Sequence, residues 1–140
     1  MAKAWYRDTA SGYGVKASQL AGLHLHFFLK TLTLAQPGDW GVFVTAAEWL
    51  DVGYGSALRQ LLAGSLGGVM LEVLAPTALP FADAVTTAAV TGFCVGRRPE
   101  TLAVRPVATV AALGLLGQGR PVPWSEAAGT PRWSLLLRPV

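Results

Sequence analysis

Short apolar segments separated by a helical segment are the feature that most restricts the fold of this chain. Trp40 to Thr45 and Val69 to Leu74 are continuous runs rich in aromatic and branched residues, typical of strands that are covered on both faces. Between them, Ser56 to Ala63 places leucines at helical spacing and ends at Gly64. This order predicts an α/β fold with a mostly parallel sheet, in which the first run is a parallel, central strand.

The remaining sequence divides into further predicted elements. Ser18 to Leu34 carries a broad apolar stripe at helical spacing and is followed by Pro37-Gly38, which predicts a buried helix. The polar, glycine-containing segment before it is predicted to be a loop. Val85 to Val95 is strand-like and follows Val69 to Leu74 through a proline-containing loop, so we expect these two strands to pair antiparallel. Thr101 to Val107 is a further strand candidate.

The bulk composition is that of one folded domain. The chain has 140 residues, of which 52% are hydrophobic and 14% charged, so it can build a core. Charged residues interrupt each apolar run before the roughly 18 residues that a membrane helix needs. Residues 1–8 lack the apolar core of a secretory signal, and we expect a cytoplasmic protein without a membrane segment. The single cysteine, Cys94, excludes a disulfide framework within one chain.

Positive charge is concentrated toward the C-terminus. The whole chain has 11 lysine and arginine residues against 8 aspartate and glutamate residues. Beyond residue 96, only Glu100 and Glu126 oppose a set of arginines, namely Arg97, Arg98, Arg105, Arg120, Arg132 and Arg138. This excess fits either a surface that faces phosphates or an ordinary solvated face. Gly96 to Pro99 is the candidate boundary between an α/β domain of residues 1–96 and a basic C-terminal extension of residues 97–140.

Several kinds of site chemistry are not supported by the sequence. His24 and His26 are two residues apart on a predicted helix, so their side chains point about 200° apart and cannot share a metal ion. No serine lies in a nucleophile elbow. The run with Gly114, Gly117 and Gly119 reads Gly-x-x-Gly-x-Gly, which is not the order of the dinucleotide fingerprint. We therefore expect neither a metal site nor a cofactor pocket formed by this chain alone.

One loop contains a residue that fits a binding role. Phe81 lies in Pro80-Phe81-Ala82-Asp83-Ala84, just before a threonine-rich strand. An aromatic ring at the rim of a sheet can stack on an extruded base, and such stacking contributes roughly 1–3 kcal/mol per base. The alternative is a loop phenylalanine that folds inward and closes the end of the core.

The order and spacing of several short motifs resemble a known family. After the Pro37-Gly38 turn come Gly41-Val42-Phe43-Val44-Thr45, Trp49-Leu50, Tyr54-Gly55, Leu58-Arg59-Gln60-Leu61-Leu62 and Pro80-Phe81-Ala82-Asp83-Ala84-Val85-Thr86-Thr87-Ala88. From about Ser18 to Val95 the chain resembles the C-terminal half of the catalytic domain of adenine-N6 DNA methyltransferases of the restriction-modification type. The resemblance implies a partial Rossmann-like methyltransferase sheet with a C-terminal antiparallel strand pair. It also implies that Phe81 packs against the flipped target adenine.

The sequence departs from that family at two motifs. It contains no Asn-Pro-Pro-Tyr/Phe, whose polar groups hold the adenine amino group, and no glycine-rich loop after a first strand to hold S-adenosylmethionine. We therefore expect a chain that is inactive alone and acts on DNA together with a complementary N-terminal methyltransferase half. The loss of a neighbouring strand would leave a long apolar sheet edge, which predicts self-association.

Two other functions are compatible with the same residues. A non-catalytic DNA-binding or adaptor module would use Phe81 together with Arg97, Arg98 and Arg105, and its binding would depend on salt. An inactive remnant would bind neither DNA nor a partner chain. Where DNA is bound, we expect residues 97–140 to lead toward a DNA-recognition region.

Overall fold

The computed structural model describes residues 2–12, 23–51, 55–75, 87–112 and 119–138. The α-helices in these ranges are α1 (Ala2–Gly12), α2 (Leu23–Leu34), α3 (Ser56–Ala63) and α4 (Trp124–Gly129). The strands are β1 (Trp40–Ala46), β2 (Gly68–Leu74), β3 (Ala88–Cys94), β4 (Thr101–Val107) and β5 (Arg120–Pro123). None of the helices in the described ranges has the length and apolar character that a bilayer crossing requires.

The N-terminal segment differs from the expected loop, because residues 2–12 form α1. Ala10 is completely buried in the core that α1 shares with α2. The rings of Trp5 and His26 are stacked, with their centroids 6.3 Å apart. Tertiary contacts of this kind stabilise a helix that its own sequence predicts poorly, since intrinsic helical propensity is weak compared with packing.

The five strands form one mixed sheet in the order β1-β3-β2-β4-β5. β3 pairs antiparallel with both β1 and β2, β4 pairs parallel with β2, and β5 pairs antiparallel with β4. This topology confirms the expected α/β class and the predicted strand at Thr101–Val107. It also confirms the antiparallel pairing of the two segments that form β2 and β3.

The expectation of a mostly parallel sheet was wrong, and within the described strands β1 is terminal and not central. Among the described strands only β2 and β4 pair parallel, and β1 lies at the end of the strand order. β1 and β2 do run in the same direction, but β3 lies between them, so each has an antiparallel neighbour. The apolar pattern of a single segment indicates that the segment is buried, but it does not indicate which strand lies beside it.

One face of the sheet is covered by α2 and α3 and holds the main core. The rings of Phe28, Phe43 and Phe93 pack there against one another. The ring centroid of Phe43 is 4.7 Å from that of Phe28 and 5.5 Å from that of Phe93, and the centroids of Phe28 and Phe93 are 6.1 Å apart. Gly41 lies against the ring of Phe93, and a Cβ atom at Gly41 would be 2.3 Å from Cζ of that ring, so a larger residue does not fit. The opposite face has a smaller buried cluster of Leu74, Ala88, Val90 and Val107.

A buried ion pair lies on that opposite face and joins β2 to β4. Nη2 of Arg105 is 3.1 Å from Oε1 of Glu72, and the two side chains are 16% and 2% exposed. Arg105 also donates to the carbonyl of Ala112, in the 3-10 turn Val110–Ala112. A carboxylate this deep in the sheet needs a cation beside it, and Arg105 provides that cation.

The residues beyond position 96 continue the same sheet. β4 and β5 extend it, and the tail packs on it through tryptophans. Trp133 is 1% exposed, its ring lies 5.8 Å from Trp49 and 5.7 Å from Trp124, and its Nε1–H donates to the carbonyl of Ala127 at 3.0 Å. The expected division at residue 96 therefore does not coincide with a break in the sheet.

The variant Trp133→Ala tests whether the tail and the sheet unfold as one unit. It removes a ring buried between two others, so we expect the free energy of unfolding to fall by about 3–5 kcal/mol in urea denaturation. Leu135→Ala, at a 40% exposed position of the same segment, serves as the control and should cost less than about 1 kcal/mol. An unchanged main transition in Trp133→Ala would show that the tail folds separately.

The variant Arg105→Ala tests the buried ion pair. It leaves the carboxylate of Glu72 buried without its guanidinium, and we expect it to lower the free energy of unfolding by about 3–5 kcal/mol. Arg97→Ala removes an equal charge from an exposed position and should change stability by less than about 0.5 kcal/mol. Equal effects of the two variants would contradict a structural role for Arg105.

Candidate functional site

Three strands end at one rim of the sheet. β1 and β2 both run antiparallel to β3, and β4 is parallel to β2, so these three strands share one direction. They end at Ala46, Leu74 and Val107, and β3 begins beside the first two at Ala88. We call this end of the sheet the carboxyl rim. In α/β proteins ligands bind outside the carboxyl ends of the strands, which makes the carboxyl rim the candidate site.

The segment that contains Phe81 connects β2 to β3 at the carboxyl rim. Phe81 lies outside the described residues, of which Ala75 and Thr87 are the nearest on either side. Ala75 donates its N–H to the carbonyl of Val107 at 2.9 Å, and the carbonyl of Thr87 accepts the N–H of Ala47 at 2.9 Å. Both described flanks of the segment are therefore fixed to neighbouring elements of the rim. The role of Phe81 itself stays a prediction.

A cleft of 400 Å³ opens at the carboxyl rim, next to the start of β3. Its lining is apolar at Leu50 and Val73 and polar at Glu48, Asp51 and Thr87. Two carboxylates disfavour a phosphate group by charge repulsion. An apolar wall with a few polar groups suits an uncharged planar ring, so the cleft is better matched to a base than to the DNA backbone.

The wall of the cleft is formed by the 3-10 turn Ala47–Leu50, which directly follows β1. Trp49 of this turn is completely buried and donates Nε1–H to the hydroxyl of Thr45 at 2.9 Å. From α3, Nη1 of Arg59 donates to the carbonyls of Trp49 at 2.6 Å and Leu50 at 3.2 Å. Arg59 thus satisfies the carbonyl groups at the end of a short helical turn and holds the wall in place.

Asp51 joins this wall to the C-terminal part of the chain. Its Oδ1 accepts the backbone N–H of Ser134 at 3.0 Å. Burial lowers the pKa of Arg59, and the negative charge of Asp51 opposes that shift. The sequence predicts no role for Asp51 or Arg59. The sequence does hold a hint that Arg59 has a structural role, because it is the single charged residue in the helical segment Ser56–Ala63.

The arginines expected to contact DNA do not lie together. Arg97 and Arg98 are exposed and follow the end of β3, whereas the Phe81 segment precedes its start. β3 has seven residues, so its two ends lie roughly 20 Å apart at about 3.4 Å per residue. Arg105 is held in the ion pair with Glu72. Arg97 and Arg98 are left as the exposed candidates for phosphate contacts, at the opposite end of β3 from the carboxyl rim.

A sequence comparison identifies a close relative of this chain. The chain is 50% identical over 137 residues to the Type II methyltransferase M.XamI of Xanthomonas campestris pv. amaranthicola. These residues are 98% of this chain and 26% of M.XamI, so the chain spans about a quarter of the length of the relative that it matches. No protein-family model matches the sequence.

A structural comparison supports the fold. The crystal structure of the type IIG restriction endonuclease BpuSI matches 74% of this chain and 12% of its own with a TM-score of 0.54. The sequence identity is 17%, and at this level the likeness concerns the fold alone. Together with M.XamI it confirms the expected resemblance to restriction-modification enzymes: over nearly its whole length, the chain is similar to one quarter of a Type II methyltransferase.

Proposed function

We propose that this chain is part of an S-adenosylmethionine-dependent DNA methyltransferase that modifies the N6 atom of adenine. The observation that carries the proposal is the 50% identity to M.XamI across 98% of the chain. The finer assignment to adenine rests on the motif from Pro80 to Ala88 and its resemblance to adenine-N6 enzymes. A DNA-modifying role also accords with the cytoplasmic location expected from the sequence.

In this proposal the carboxyl rim receives the extruded adenine. Phe81 stacks on the adenine. The cleft beside the start of β3 accepts the planar ring of the adenine between apolar and polar walls. The rim carries carboxylates at Glu48 and Asp51, so the phosphates flanking the flipped base are held by cations outside this cleft. The chain contributes positioning of the base, and the groups that hold its amino nitrogen come from elsewhere.

The residues after β1 support placing the methyl donor elsewhere in the enzyme. β1 is followed by Ala47–Leu50, of which Trp49 and Leu50 are buried, and not by glycines that would let a backbone approach a nucleotide. We therefore assign donor binding and the Asn-Pro-Pro-Tyr/Phe motif to a complementary N-terminal half, and the chain is inactive without it. The outer edge of β1 is where that half would add its strands, since β1 is terminal in the described sheet.

A chimera tests this function directly. The matching quarter of M.XamI is replaced by this chain, and methyl transfer to DNA is measured with the modified nucleoside identified by mass spectrometry. We expect N6-methyladenine, and we expect Phe81→Ala to lower the rate about 10- to 100-fold, as loss of one base stack implies. Phe81→Tyr keeps the ring and should keep most of the activity. Leu34→Ala, at a 74% exposed position that precedes the start of β1 and so lies toward the end of the sheet opposite the carboxyl rim, is the control.

Three results would count against the proposal. Methylated cytosine in place of N6-methyladenine would overturn the adenine assignment. A folded chimera in which Phe81→Ala equals the unsubstituted protein would remove the stacking role. Methyl transfer by the isolated chain would show that it does not need a complementary half.

DNA binding through Arg97 and Arg98 is a second proposal, favoured by their exposure and adjacency. The double variant Arg97→Ala/Arg98→Ala should weaken binding to duplex DNA and reduce the slope of log K against log salt by about 1.8, as expected for two lost phosphate contacts. Fluorescence anisotropy over a salt series measures both. Arg132→Ala/Arg138→Ala removes the same charge at two other exposed positions, and an equal loss in this control would exclude a specific site.

A further inference from the structure

The cleft at the carboxyl rim has two walls that come from distant parts of the chain. One wall is the turn Ala47–Leu50 together with Asp51, and the other is formed by Ser134 and Leu137 of the 3-10 turn Trp133–Leu137. We call this second turn the tail turn. Both walls belong to this chain, so the shape of the cleft depends on what fixes the tail turn to the rim.

A hydrogen bond between the two walls fixes the start of the tail turn. The N–H of Leu135 donates to the carbonyl of Arg132 at 3.1 Å, which leaves the preceding N–H, that of Ser134, without an acceptor inside the turn. Arg132 forms no side-chain cap. Oδ1 of Asp51 accepts the N–H of Ser134 at 3.0 Å, across a separation of 83 residues. Asp51 therefore caps the tail turn from the opposite wall of the cleft.

The remaining contacts of the tail turn anchor it without setting the shape of the cleft. Trp133 packs in the core against the ring of Trp49, and Nη2 of Arg120, on β5, donates to the carbonyl of the buried Leu136. These contacts lie on the side of the turn away from the cleft. The bond from Ser134 lies at the cleft itself, because both of its residues line it. Since a hydrogen bond is directional, this bond orients the wall.

Asp51 is held in place by α3. Arg59 donates to the carbonyls of Trp49 and Leu50, the two residues that precede Asp51. The guanidinium of Arg59 is also close enough to Asp51 for the carboxylate to oppose the lowering of the arginine pKa by burial. A carboxylate accepts a shorter and stronger hydrogen bond than a neutral oxygen does. The position of the tail turn therefore follows that of Asp51, which follows α3.

We propose that Asp51 is a positioning residue for base binding, which holds the tail turn as the second wall of the cleft that receives the extruded adenine. The inference rests on the proposed function and deepens it, because it makes the tail turn part of the base site. The walls enclose the base both before and during methyl transfer, so they contribute to binding and not to the chemical step. Loss of Asp51 then raises KM and leaves kcat nearly unchanged.

Steady-state kinetics of the chimera with M.XamI test this role. We expect Asp51→Ala to raise the KM for DNA about tenfold, as loss of one charge-assisted hydrogen bond implies, and to change kcat less than about threefold. Asp51→Asn keeps an acceptor oxygen and should return the KM to within about threefold of the unsubstituted value. Leu137→Ala shortens the wall without removing the hydrogen bond, and it should also raise the KM.

Asp39→Ala is the matched control. Oδ2 of Asp39 also accepts a backbone N–H, that of Gln36 at 2.9 Å, but Asp39 precedes β1 at the end of the sheet opposite the carboxyl rim. This variant should change neither KM nor kcat. An unchanged KM in Asp51→Ala, a loss confined to kcat, or an Asp51→Asn variant as impaired as Asp51→Ala would overturn the positioning role. If Asp51→Ala does not fold, an unchanged KM in Leu137→Ala would overturn it.

Amide hydrogen exchange of the full chain tests the hydrogen bond without methyl transfer. The N–H of Ser134 should exchange at least about tenfold more slowly in the unsubstituted chain than in Asp51→Ala, and Asp39→Ala should not change its rate. Free exchange of Ser134 in the unsubstituted chain would overturn the inference. An inactive chimera together with slow exchange at Ser134 would instead count against the proposed function, so the two failures are distinguishable.

Discussion

The position of β3 determines what the rest of the sheet can be. All seven residues of β3 are buried, so this strand needs a covered position between two neighbours. It takes that position between β1 and β2, and its backbone is the template for both. The chain enters β3 at the carboxyl rim and leaves it at the far end. The Phe81 segment and the pair Arg97 and Arg98 are separated for this reason alone.

Local pattern was enough to predict several elements of this fold. β1, β2 and β3 are short apolar runs bounded by glycine and proline, and α3 has leucines at helical spacing, so each element is encoded by neighbouring residues. The order of the strands in the sheet is not encoded by neighbouring residues. The continuous apolar run of β3 fits any interior position in a sheet. The roles of Arg105 and Trp133 depend on partners far away in the sequence, Glu72 and Trp49.

The distribution of charge bears on how DNA would approach the candidate site. The cleft at the carboxyl rim has carboxylates at Glu48 and Asp51, while Arg59 is used to hold the wall and Arg105 to neutralise Glu72. A nucleic acid that inserts a base at this rim brings phosphates with it, and these require cations nearby. In the described part of the chain the adjacent exposed arginines Arg97 and Arg98 lie at the opposite end of β3. The exposed Arg132 and Arg138 flank the turn Trp133–Leu137, which contributes Ser134 and Leu137 to the cleft. In the proposed enzyme, cations for these phosphates therefore come from the C-terminal part of this chain or from the complementary half.

The outer edge of β1 links the fold to the proposed activity. Trp40, Val42 and Val44 expose their side chains beside this edge, and no described strand covers it. In the proposed enzyme, a complementary half that continues the sheet offers a strand together with cover for these three side chains. Its association is favoured because the stabilisation grows with the apolar surface removed from water.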